Sequence, residues 1–133
     1  MNTMFSATTH NIRITAIPRY LSEESRPHDN FYAWSYDITI ENQSNITAQL
    51  LNRHWEVTDA SGIKQVIDGA GVVGAKPILA PKEKFEYTSW TWLPTPSGIM
   101  HGHYEFLSQH TDKFTVFIPT FSLDSPVALQ MAN

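Results

Sequence analysis

"VIDGAGVVGAKP", Val66 to Pro77, is the stretch on which the reading of the fold turns. It holds Gly69, Gly71 and Gly74 in the G-x-G-x-x-G spacing that in many proteins cradles a dinucleotide pyrophosphate. That fingerprint works when a strand runs into the glycine turn and a helix starting there aims its free N–H groups at the phosphates. The strand is present as "KQVID", Lys64 to Asp68, but no helix can follow. Pro77 and Pro81 come within seven residues of Gly74, and "KFEYTSW", Lys84 to Trp90, reads as another strand. A β-α-β crossover needs about a dozen residues. No P-loop Lys-Ser or Lys-Thr pair is present. The glycines are therefore expected to supply positive φ angles and close backbone approach at a corner where strands change sheet.

Outward from that corner, period two dominates. "YAWSYDITI" sets Tyr32, Trp34, Tyr36, Ile38 and Ile40 on one face, with Ala33, Ser35, Asp37 and Thr39 on the other. "RHWEVTD" alternates Trp55 and Val57 against His54 and Glu56, and the adjacent Leu50 and Leu51 predict a bulge or a strand start. "MHGHYEF" and "FTVFIP" alternate in the same way, and further strands are expected over Asn11–Ile17 and Ile63–Ile67. "DASG", Asp59 to Gly62, suits a tight hairpin. The longest expected loop is "LSEESRPHDN", Leu21 to Asn30, where Glu23 and Glu24 read as solvated carboxylates. No stretch carries the 3.6 period of a long amphipathic helix. Seven to eight short strands and eight prolines describe one antiparallel β-sandwich over 1–133, with its core about 11–123. A barrel is the competing architecture.

Composition narrows the function classes. The chain has 133 residues, long enough to bury a core, and 41% of them are hydrophobic. Without cysteine it has no disulfide, thiolate metal site or cysteine nucleophile. A net charge of −4 argues against broad nucleic-acid binding. "MNTMFSATTHNIR" lacks the basic and apolar regions of a signal peptide, and no apolar run approaches the roughly 18 residues of a membrane span, so a cytoplasmic protein without membrane contact is expected.

The same blocks carry a family resemblance. "LLNRHWEVTDASG", "GAGVVGAKPILAP", "FEYTSW", "TPSGIMHGHYEF" and "FTVFIPTFSL" stand in the order and spacing of the bacterial ApaG proteins, across roughly Asn11 to Leu123. The resemblance implies an immunoglobulin-like or fibronectin type III-like sandwich. Trp55 would be its core tryptophan, packed with Tyr104 and Trp34. It implies no established enzymatic activity, a gene neighbourhood with a diadenosine tetraphosphate hydrolase, and a link to cobalt and magnesium handling. The related domain in eukaryotic F-box proteins and in a polymerase-δ-interacting protein looks like a protein-interaction module. This chain departs from the usual family pattern after "YTS", carrying Trp90 where a small residue is common, with Trp92 two positions on.

Three candidate surfaces follow. Trp90 and Trp92 share the outward face of their strand if Phe85 and Tyr87 point inward, and Phe117 is expected to join them in an aromatic partner surface. A bulge near "TSW" would instead bury both tryptophans. His101, His103 and Glu105 share a strand face at i, i+2 and i+4, a pattern that can hold a divalent cation, although an ordinary solvent-facing stripe gives the same spacing. Gly69, Gly71 and Gly74, with Lys76 and Arg53 nearby, could form a backbone nest for an anion or nucleotide phosphate. In that case Gly71→Asp should abolish binding and spare the fold. Arg53 lies on the side of Trp55, so its guanidinium is expected to reach a rim carboxylate or a bound anion. Ser89, Ser97 and Ser108 belong to no nucleophile elbow, so no catalytic residue and no cofactor is assigned. The leading reading is a non-catalytic binding module with a protein partner, met at a sheet edge or at the tryptophans. A homo-oligomer contact is the alternative use of that surface.

Overall fold

The computed structural model describes residues 3–131. Among the described residues the chain forms nine strands: β1 (Phe5–Thr9), β2 (Ile12–Tyr20), β3 (Tyr32–Asn42), β4 (Ala48–Asp59), β5 (Lys64–Ala70), β6 (Ile78–Leu79), β7 (Lys84–Leu93), β8 (Ser97–Ser108) and β9 (Lys113–Asp124). They form two antiparallel sheets, one ordered β1-β2-β3-β7 and the other β5-β4-β8-β9 with β6 also on β4. The result is an open β-sandwich, followed by a short helix, α1 (Pro126–Met131). The strands beyond the expected set are β1, an edge strand with Phe5 as its one large apolar side chain, and the two-residue β6.

The inward faces make one core. Ile12, Ile14, Trp34, Ile38 and Ile40 of the first sheet meet Leu50, Trp55, Val57, Tyr104, Phe106 and Phe121 of the second. Trp55 is buried as expected, but its aromatic neighbours are Tyr36 and Phe121, with ring centroids 5.3 and 6.1 Å away. Trp34 sits further along β3, packs against Tyr20, and donates its indole N–H to the Asp124 carbonyl at 2.9 Å. The two tryptophans therefore occupy different places in the core, and Tyr104 pairs instead with Phe106 and Tyr87.

Leu50 and Leu51 do mark a bulge, since the β4–β8 register shifts between Leu50 and Asn52. "DASG" closes the β4–β5 hairpin: Gly62 has φ +86°, and the Asp59 carboxylate accepts the N–H groups of Ser61 and Ile63. The glycine stretch is no corner between sheets. β5 pairs with Asn52–Thr58 and β6 with Ala48–Gln49, so the chain leaves and rejoins the same edge of β4 opposite its bulge. The change of sheet comes later, between β6 and β7. What the glycines provide is the expected backbone freedom, used to make a small excursion.

Candidate functional site

The outer face of the first sheet holds the candidate site. Along β7, Phe85, Tyr87, Ser89 and Thr91 point inward and are half-buried, while Glu86, Thr88, Trp90 and Trp92 point out. No bulge intervenes: the β3–β7 register runs unbroken from Glu41↔Lys84 to Tyr32↔Leu93. Strict alternation therefore exposes both tryptophans, Trp90 at 61% and Trp92 at 43%. β7 pairs only with β3, so its other edge carries no strand among the described residues.

Opposite Trp90 and Trp92 on β3 stand Ser35 and Ala33. Small residues between large neighbours leave a trough, floored by Ala33 and walled by Trp90 on one side and Leu21 and Phe31 on the other. Glu23, Glu24 and Arg26 complete its rim, and its volume is about 590 Å³. A second hollow of about 300 Å³ lies beyond Phe31, lined by Arg26, Asp29, Asn30 and Trp92. Phe31 stacks on Trp92, centroids 5.1 Å apart and planes within 24°, and so separates the two hollows.

The loop that makes the second wall is fixed by its own hydrogen bonds. Ser25 Oγ donates to the Leu21 carbonyl at 2.7 Å and accepts the Ala33 N–H at 2.9 Å. Arg26 and Phe31 exchange both backbone hydrogen bonds around a 3₁₀ turn at Pro27–Asp29, and Asn30 takes the left-handed conformation that closes it. Such a wall is preformed, which lowers the ordering cost of binding. The sequence reading singled out Trp90 and Trp92 and not Leu21, Arg26 or Phe31, which the fold places beside them. Alternation along a strand says nothing about a loop that folds back over a neighbouring strand. The one local signal was a phenylalanine ending a polar loop.

Phe117 does not belong to this surface. It is 56% exposed, but on the outer face of β9 in the other sheet, next to His103 at 6.3 Å between ring centroids. The expected aromatic group therefore splits between opposite faces of the sandwich.

His101, His103 and Glu105 do share the outer face of β8, and each turns to a different neighbour. His101 Nε2 lies 3.7 Å from Glu56, His103 stacks on His54 at 4.7 Å, and Glu105 accepts a hydrogen bond from the Asn52 amide at 2.8 Å. Among the described residues no three His, Asp or Glu side chains are grouped to hold a metal ion. The ordinary polar stripe is the arrangement present. Its densest point is His54, whose Nδ1 is 2.6 Å from Asp68 and whose Nε2 is 3.0 Å from Glu56. Hydrogen bonds to Glu56 first, then to Asp68, raise the pKa of His54. The hydrogen bond from His54, then that from Lys64, holds Glu56 down at about 2.

The glycine loop uses part of its donors within itself and on β4. Gly71 N–H bonds to the Leu51 carbonyl, and Val72 and Ala75 exchange both backbone hydrogen bonds around a two-residue turn. Arg53 meets neither a carboxylate nor an open nest. It forms no ion pair among the described residues; its Nη1 donates to the Ala70 and Gly71 carbonyls, 2.9 Å each, and its guanidinium lies against Gly69. Lys76 is exposed, and its carbonyl accepts from Gln49. Gly71 has φ +62°, and a Cβ there would sit 2.2 Å from the Ala75 carbonyl oxygen. A substitution at Gly71 therefore disturbs the fold itself, contrary to the expectation that Gly71→Asp would spare it.

The architecture and the surface together define an open antiparallel β-sandwich that displays two tryptophans beside a preformed groove. Comparison with known proteins makes this specific: the ApaG domain model matches residues 22–108, and the chain belongs to the ApaG family. It is 50% identical over 130 residues to Protein ApaG of Parvibaculum lavamentivorans, covering 98% of this chain and 100% of that protein. It is likewise 50% identical over 123 residues to Protein ApaG of Rhodospirillum centenum, covering 92% and 95%. The crystal structure of an ApaA protein from Bordetella pertussis superposes with a TM-score of 0.86 at 39% identity, covering 90% of this chain and 98% of that one. Among the described residues no helix is long and apolar enough to cross a membrane.

Proposed function

We propose that this chain is a non-catalytic binding domain whose partner is a protein, met at the outer face of β7. The observation that carries the reading is the display of Trp90 and Trp92 on an edge strand, beside a groove whose far wall is already fixed. Large aromatic side chains held in water are costly unless a partner covers them, and tryptophans at the centre of an interface supply much of its binding energy. A free sheet edge next to them offers backbone hydrogen bonds to an extended segment. The glycine loop gives less support to a phosphate ligand, since the N–H groups of Gly71, Val72 and Ala75 are already bonded and at most those of Val73 and Gly74 are left to form a nest.

The test is selection of random displayed peptides on the immobilised chain, followed by affinity measurements with purified winners. Trp90→Ala should weaken the selected peptides by tenfold or more, while His103→Ala on the opposite sheet should leave them unchanged. Selected peptides should also leave the binding assay unaltered in mass. Winners that ignore Trp90 and Trp92, or that are cleaved, would overturn the proposal.

A further inference from the structure

Resting on that reading, we infer the chemistry of the segment that the groove takes: an extended peptide that presents a lysine or arginine side chain to Trp90 between the loop carboxylates. The trough beside Trp90 has apolar walls and a charged rim. Leu21, Phe31, Ala33 and Trp90 would accept the aliphatic stem of a long basic side chain, and Glu23 and Glu24 stand at the mouth where its charged head would emerge. A cation over the indole face also gains from the ring quadrupole.

Charge complementarity selects this occupant over others. From Leu21 to Phe31 the loop carries Glu23, Glu24 and Asp29 against Arg26 alone, and the whole chain is at −4. None of these four side chains forms an ion pair among the described residues. An anionic segment, a nucleic acid or an anionic lipid surface would meet a repulsive rim, which discriminates as strongly as an attractive one. Arg26 lines both hollows, so the rim of the trough carries one cation against the two carboxylates of Glu23 and Glu24. The extended form of the segment follows from β7, whose edge away from β3 carries no strand among the described residues; a segment paired there reaches the trough over Ala33 only by a long side chain that crosses the Trp90 indole.

The experiment is a titration of the intact ¹⁵N-labelled chain with three synthetic peptides of alternating valine: one with lysine, one with glutamine and one with glutamate at the alternate positions. The lysine peptide should shift the Trp90 indole and the Glu23–Phe31 amides, and bind at least about fivefold more tightly than the glutamine peptide at low salt. The double change Glu23→Gln and Glu24→Gln, both on exposed side chains, should erase that preference while the spectrum stays folded. Glu23→Lys with Glu24→Lys should pass it to the glutamate peptide. Equal binding of all three at Trp90 would overturn the basic-residue assignment and leave the docking face standing. Binding by none would overturn both. n-Butylammonium matching the lysine peptide in affinity would also overturn the assignment, because the peptide would then contribute nothing.

Discussion

Tyr87 of β7 and Tyr104 of β8 reach toward each other from opposite sheets and share a hydroxyl–hydroxyl hydrogen bond of 2.5 Å in the core. Tyr104 is completely buried, and Tyr87 is its hydrogen-bond partner there. Burial, above all other influences, raises the pKa of both phenols. Removing one hydroxyl strands the other, whereas removing both leaves two rings in an apolar setting. Tyr87→Phe should cost about 1–3 kcal/mol, and the Tyr87→Phe/Tyr104→Phe double variant should cost clearly less than the two singles summed. Urea unfolding of the four proteins completes the cycle, and strict additivity would show the bond to be energetically idle. A raised folded-state pKa also means that this pair's stabilisation is present below about pH 10 and is lost as the pH rises above it.

On the other face, His54 should titrate above its ordinary pKa of 6.5, because Glu56 and Asp68 hold its charged form. Its contribution to stability is then complete below pH 6.5 and fades as the pH rises through the folded-state value. Glu56 works in the opposite sense: its contribution is present above about pH 4.5 and is lost as the pH falls toward about 2. Imidazole NMR titration should show Glu56→Gln lowering the His54 pKa. An unchanged midpoint would mean that the two side chains do not interact in solution.

Gly71 and Gly74 both have positive φ, yet they should respond differently to alanine. At Gly74 an added Cβ meets nothing within 4 Å, so Gly74→Ala should cost only the strained conformation, about 1 kcal/mol. At Gly71 the Cβ would collide with the Ala75 carbonyl, and the loop would have to open. Gly71→Ala should lower thermal stability markedly more than Gly74→Ala, and equal melting temperatures would contradict the described turn.

The four tryptophans divide in the same way. Trp34→Ala and Trp55→Ala remove buried rings and should each cost about 3–5 kcal/mol. Trp90→Ala removes a ring that is mostly in solvent and should change stability by no more than about 0.5 kcal/mol. Denaturant midpoints separate the two classes, and a large loss at Trp90 would reassign it to packing.

How far the sequence could be read follows from the range of each physical rule. Alternation acts within one strand: with Phe85 and Tyr87 inward it offered an outward Trp90 and Trp92, and the unbroken β3–β7 register decides against the bulge that the sequence left open. It does not say which sheet a strand joins, so Phe117 was placed with the tryptophans although β9 belongs to the other sheet. Missing helix chemistry after Gly74 was enough to reject the dinucleotide fold. The sheet corner, by contrast, depended on β5 and β6 sharing one edge of β4, a pairing with no local signature. Arg53 illustrates the same limit, because its acceptors are the Ala70 and Gly71 carbonyls, and backbone acceptors are identical in every residue. The groove was hidden for a related reason: Ala33 shapes it by being small, and a small residue on a strand face reads as ordinary surface.

β5 is held to β4 by a ladder from Thr58↔Lys64 to Asn52↔Ala70, but of its seven residues only Gly69 is even half-buried. A strand fastened by backbone bonds and by the Lys64–Glu56 and Asp68–His54 pairs, with almost no apolar burial, can detach while the core stays intact. Its amides should therefore exchange with solvent through a local opening, well before the β3 and β8 amides, whose release requires the whole sandwich to come apart. The Arg53 contacts with Ala70 and Gly71 anchor the end of that ribbon, and they set how far along β4 the detachment can run.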